Sequence, residues 1–169
     1  MRLTALPTLT LVATLLLGAL IAPGTTAAQT VAEPTPTEAA YLAATKPYRD
    51  RVGAYQELLA AHQQAASEGQ LDSITLTELS DLTRELFAAR QAFTNAAPSA
   101  RLDQYDRTIK LGIDRAYAAT VLLLRAQRTE SQPDYDALIR EAGIQGASSI
   151  KLLKEATDEL RMQVPAAAL

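Results

Sequence analysis

His62, the one histidine of this 169-residue chain, ends a series of side chains whose spacing suits binding. Tyr41, Tyr48, Tyr55 and His62 recur every seven residues, so on a helix each lies about 20° from the one before. Val52, Leu59 and Ala66 follow at the half-repeat. A ladder of rings on one face can grip a planar ligand or a partner helix. It is also the pattern of a bundle seam, where tyrosines bury their rings and send hydroxyls to the rim. The apolar half-repeat partners favour the seam. Tyr48, Tyr55 and His62 are the members placed to line a site for a small apolar or aromatic molecule.

Other chemistry finds less support. A histidine and a methionine can hold haem in a bundle, but Met162 falls at the pole opposite His62 in an antiparallel arrangement, roughly 20 residues or ~30 Å of helix away. A di-iron site lacks its Glu-x-x-His element, and no carboxylate is expected on the seams. There is no glycine-rich phosphate loop and no Gly-x-Ser-x-Gly elbow. Ser148 and Ser149 read as helix caps or small contacts beside Gly146. Neighbouring carboxylates such as Asp158 and Glu159 point apart on a helix and are not placed for acid–base work. The absence of cysteine removes disulfides, thiolate metal sites and thiol nucleophiles. No catalytic residue, metal or cofactor is therefore expected.

These residues must be held by helices. Alanine, leucine, glutamine and glutamate are abundant, glycine is scarce, and no strand pattern occurs. The spacing predicts a first helix from Glu38 to about Ser67, stopped by Gly69. Pro47 should kink it or start it afresh with Thr45 as cap. Thr75-Leu76-Thr77-Glu78 reads as a capping box for a second helix, stapled by Ile74 and Leu79. Its stripe is Leu79, Leu82, Leu86, Ala89 and Phe93. Pro98 closes it, and Ser99 is expected to cap a third helix reaching about Thr129. On the outer face of that helix Asp103 with Arg107, and Asp106 with Lys110, make favourable pairs. Ser131-Gln132-Pro133-Asp134 opens a fourth helix, which Gly143 and Gly146 either break or let a neighbour approach. The fold expected is an all-α, up-down-up-down four-helix bundle.

In front of the bundle (38–164) stand two further segments. Residues 1–28 combine Arg2, a charge-free apolar stretch Leu3–Ala22 and a small-residue exit ending at Ala28, which is the pattern of a signal peptide. Residues 29–37, with Pro34 and Pro36, read as an extended linker, and 165–169 as a short tail. The chain is expected to be exported, periplasmic or extracellular. A membrane association is expected only if the N-terminal segment stays on as an anchor.

A net charge of −3 gives no reason to expect nucleic acid as a partner. Ala116 to Leu124 carries no charge and covers every side of the third helix. Either that helix is covered by its own chain, or Val121, Leu122 and Leu124 present a patch for another extracytoplasmic protein or a second copy. Two functions follow as expectations: a non-enzymatic accessory protein acting through a helix face, or a carrier of a small apolar or aromatic ligand in the bundle core.

Overall fold

The computed structural model describes residues 32–70 and 73–165, and the segment read as a signal peptide lies outside them. Five helices follow in order: α1 (Pro36–Arg49), α2 (Val52–Ser67), α3 (Ser73–Asn95), α4 (Asp103–Ala126) and α5 (Gln132–Gln163). No strand occurs among the described residues. α1 and α2 form one broken rod, so the chain folds as an all-α bundle of four rods.

Side-chain contacts fix the directions. Between α3 and α4, Phe87 meets Tyr117 and Arg90 meets Asp114. Between α2 and α5, Gln56 Nε2 donates to Ile150 O (3.0 Å) and Gln63 Nε2 to Ala142 O (2.8 Å). Between α4 and α5, Arg115 Nη1 donates to Gln145 Oε1 at 2.7 Å, and Ser149 Oγ to Gly112 O at 2.8 Å. In each pair one number falls as the other rises, which is the antiparallel register of the expected up-down-up-down order.

The first rod departs from expectation at both ends. α1 begins at Pro36, inside the segment read as linker. Thr35 and Glu38 close a capping box there, Thr35 N–H donating to Glu38 Oε2 (2.7 Å) and Glu38 N–H to Thr35 Oγ1 (3.3 Å). Thr45 does not cap a fresh helix; its hydroxyl donates back to Tyr41 O (2.9 Å). The helix passes through Pro47 and breaks after it, at Asp50–Arg51. Proline has no N–H for the carbonyl four residues earlier and crowds the preceding turn. Arg49 Nη2 reaches back to Leu42 O at 2.9 Å, beside that disturbed turn. Past the break the rod changes neighbours: α1 leans on α3, whereas α2 leans on α5.

Other boundaries move for local reasons. α3 starts at Ser73, which puts Thr75 in its first turn; the side chain of Ile74, the proposed staple, lies outside the described residues. The stripe Leu79, Leu82, Leu86, Ala89 and Phe93 is buried throughout. Ser99 does not cap α4. Its hydroxyl goes to Glu38 Oε1 (2.6 Å), and Leu102 takes the cap position with no side-chain bond. α4 stops at Ala126 rather than Thr129. Gly143 and Gly146 leave α5 continuous. Gly146 does admit a neighbour, because a Cβ there would stand 1.6 Å from Gln63 Nε2.

Gly112 marks a close crossing of α4 and α5. A Cβ at this position would lie 2.8 Å from Leu153 Cδ2 and 3.3 Å from the Leu153 backbone nitrogen. Leu153 is buried, so its side chain has little room to give. Gly112→Ala is expected to destabilise the bundle by about 1–2 kcal/mol, because the steric cost outweighs the better helix propensity of alanine. Urea unfolding checks this. A stabilised Gly112→Ala chain would mean that the helices separate there without penalty.

Candidate functional site

The tyrosine ladder is core. Tyr41, Tyr55 and His62 are buried, and Tyr48 is half-buried against the same cluster. Of this set Tyr55 and His62 sit on α2 and Tyr48 on α1, so the break at Asp50–Arg51 falls in the middle of the ladder. Tyr41 stacks edge-on with both Phe93 (centroids 6.3 Å, 67°) and Tyr105 (6.3 Å, 89°). Three rings thus tie α1, α3 and α4 together at one pole. Met162 is 72% exposed on the last turn of α5, and α2 sets Gln63 beside Ala142, so His62 and Met162 do not meet.

His62 Nε2 is buried without a hydrogen-bond partner among the described residues. Burial pushes the imidazole below its ordinary value of 6.5, with Glu78 pulling weakly the other way. A depressed folded pKa means that the unfolded chain takes up the proton first. Stability is therefore full above about pH 6.5 and falls as the pH drops from there toward the lower folded value. His62→Gln is expected to remove that slope, read as denaturant midpoints between about pH 5 and about pH 8. An unchanged slope in the variant would assign the pH dependence to other groups.

Two carboxylates that the sequence placed in solvent, or placed nowhere, are buried at the tyrosine pole. Asp106, expected on the outer face of its helix, accepts from Tyr41 Oη (2.8 Å) and Lys110 Nζ (2.6 Å). Glu38 accepts from Ser99 Oγ (2.6 Å) and from Arg101 through Nε (3.0 Å) and Nη2 (2.9 Å). The Ser99 hydroxyl and the Thr35 N–H hold the Glu38 carboxyl at about 2, against the opposing effect of its burial. The expectation of no carboxylate on the seams is thus corrected. Each acid is satisfied by a partner on another helix or in the α3–α4 connection, a long-range pairing that periodicity does not encode. The expected Asp103–Arg107 pair does form on the outer face of α4.

The charge-free girdle is largely covered by its own bundle. Leu122 and Leu124 pack, half-buried, on a second cluster built from Ala66, Leu79, Leu123 and Ala142, and Val121 is half-buried as well. The large apolar side chains left in solvent stand elsewhere, among them Phe87 and Leu111. Ser149, read as a cap or a contact beside Gly146, instead bonds the Gly112 carbonyl across the α4–α5 crossing.

One of the concave features among the described residues lies at the break in the first rod. A pocket of about 200 Å³ opens there between the α1–α2 junction, α4 and the end of α5. Val52, Ile109 and Leu160 give it apolar wall, and Arg49, Tyr105 and Arg161 are the lining residues that carry side-chain donors. Tyr105 is 1% exposed, and among the described residues neither its Oη nor the buried Arg49 Nε has a hydrogen-bond partner. Burial raises the Tyr105 phenol well above its usual value, the nearby Arg49 charge opposing, so the group stays protonated and is a donor. Buried polar groups are nearly always paired, so two orphan donors at one pocket are an unusual concentration. None of Tyr48, Tyr55 and His62 lines this pocket, whose nearest sequence signal was Pro47. No family model, no curated protein and no solved structure matches this chain.

Proposed function

We propose that this chain is an exported, non-enzymatic binding protein that holds a small molecule in the pocket beside the α1–α2 break. The observation that carries this reading is the pair of orphan donors, Tyr105 Oη and Arg49 Nε, against apolar walls. A few convergent polar groups in an apolar concavity are the usual make-up of a small-molecule site. Export rests on the residue pattern of 1–28. Native mass spectrometry of the full chain, purified from its own host without denaturation, tests the reading. The expected result is an added small mass on the wild type that is lost in Arg49→Gln. Bare protein in both spectra would contradict it.

A second reading, contact with another extracytoplasmic protein or a second copy, is favoured by one observation. Phe87 is 47% exposed and its ring lies 6.1 Å from that of Tyr117, one helical turn before Val121 on the same side of α4. An exposed Phe87 ring beside a half-buried Tyr117, continuous with part of the girdle, suits a helix-face contact. Light scattering over a concentration series tests it: an average mass that rises for the wild type and not for Phe87→Ser is the expected sign, and identical flat curves would remove the self-association form.

A further inference from the structure

We infer that the molecule taken by the pocket is a small carboxylate with a compact apolar body, held through Arg49 and the Tyr105 hydroxyl. This rests on the reading of the pocket as a binding site and adds the class of ligand. Both orphan atoms are donors buried on residues that line the pocket, and the partner of a donor is an acceptor; where one donor belongs to a cation, an anionic acceptor is matched best. Among the described residues no carboxylate pairs with Arg49. Its Nη2 is held by a neutral carbonyl, Leu42 O at 2.9 Å.

The carboxylates nearby are engaged elsewhere. Asp50, at the pocket edge, faces Lys46 Nζ at 3.2 Å, and Asp106 is held by Tyr41 and Lys110. Thr157, also at the edge, turns its hydroxyl to Leu153 O (2.8 Å). Arg161 adds a second cation among the lining residues, its nearest acid being Asp158 at 3.9 Å.

Size and wall chemistry narrow the body of the ligand. An apolar cavity of ~150 Å³ accepts a benzene ring, so the pocket of about 200 Å³ admits a ring or short branched chain with its carboxylate. Val52, Ile109 and Leu160 would contact that body while the carboxylate meets the donors. Arg49 is half-buried and Arg161 is 69% exposed, so a monoanion is matched within the pocket, and the second charge of a phosphate dianion would rest on a solvent-screened partner.

The test is a ¹⁵N NMR titration of the full chain with benzoate and butyrate, each beside its amide, benzamide and butyramide, and with phenyl phosphate. The acids are expected to shift amides at Arg49, Tyr105 and Leu160 and to bind about tenfold or more tighter than the amides, the usual advantage of a charge-assisted hydrogen bond. Tyr105→Phe, which keeps the ring in the core, should weaken benzoate by about threefold or more. Arg49→Gln should erase the difference between acid and amide. Amides binding as well as acids would overturn the carboxylate assignment and leave the pocket reading standing. Phenyl phosphate binding more tightly than benzoate would overturn it in favour of phosphate. Absence of any shift at the pocket with every compound would remove both.

Discussion

Phe93→Ala is expected to destabilise the bundle by about 3–5 kcal/mol, the largest effect anticipated for a single truncation in this chain. Phe93 is fully buried on α3 and presents its ring to the Tyr41 ring, which in turn meets Tyr105. Truncation removes the transfer energy of the ring, leaves a cavity among rigid helices, and deletes an edge-to-face pair. Rings resist collapse into such a space because Tyr41 is pinned by its bond to Asp106 at 2.8 Å. Guanidinium unfolding measures the loss as a lower midpoint at an unchanged slope. A loss below about 1 kcal/mol would mean that this pole is loosely packed and that Tyr105 is not held by the triad.

Asp106→Ala is the second large effect, about 2–3 kcal/mol, and here the arithmetic depends on what is orphaned. Asp106 is 4% exposed and bonds Tyr41 Oη and Lys110 Nζ. Lys110 is about one-third exposed and can return to water once its partner is gone, so little of the cost arises there. Tyr41 Oη cannot. It remains in a buried site without an acceptor, and an unsatisfied buried hydroxyl costs about 1–3 kcal/mol. Tyr41→Phe in the Asp106→Ala background should therefore recover part of the loss. Strict additivity of the two changes would show that the bond across α1 and α4 contributes nothing.

Much of the fold was legible in the residues because burial in a helical bundle leaves a periodic trace. Leu79, Leu82, Leu86, Ala89 and Phe93 step by three and four and are all buried; Tyr41, Tyr55 and His62 step by seven and are buried too. Gly143 and Gly146 read as either a break or a close approach; close approach holds at Gly146, where Gln63 passes, and nothing lies within 4 Å of a Cβ at Gly143. Helix ends were less legible, since a cap depends on which residue the backbone presents and several serines and threonines compete. Thr35 rather than Thr45 caps the first rod, and Ser99 is drawn away from α4 by Glu38.

The polar half of the interior was hidden for a different reason. Asp106 has a lysine one turn ahead, the local signature of an exposed pair, and only the distant Tyr41 hydroxyl accounts for its burial. The pocket belongs to the same class. Arg49, Tyr105 and Leu160 come from three helices with no common spacing, and what assembles them is a break after Pro47 that turns α1 toward α3 and α2 toward α5. The tyrosine ladder drew attention to the rod that carries the break, and none of Tyr48, Tyr55 and His62 lines the pocket there. A proline in the middle of a helix, with an arginine two positions on, was the usable signal.

The central claim, a small molecule held at the α1–α2 break, is tested most directly by a crystal structure of the full chain purified from its own host without denaturation. The account predicts electron density in the pocket that bridges Arg49 Nε and Tyr105 Oη and fills the space beside Val52, Ile109 and Leu160. An Arg49 side chain turned onto an acid of its own chain, with the pocket closed or holding water alone, would contradict it.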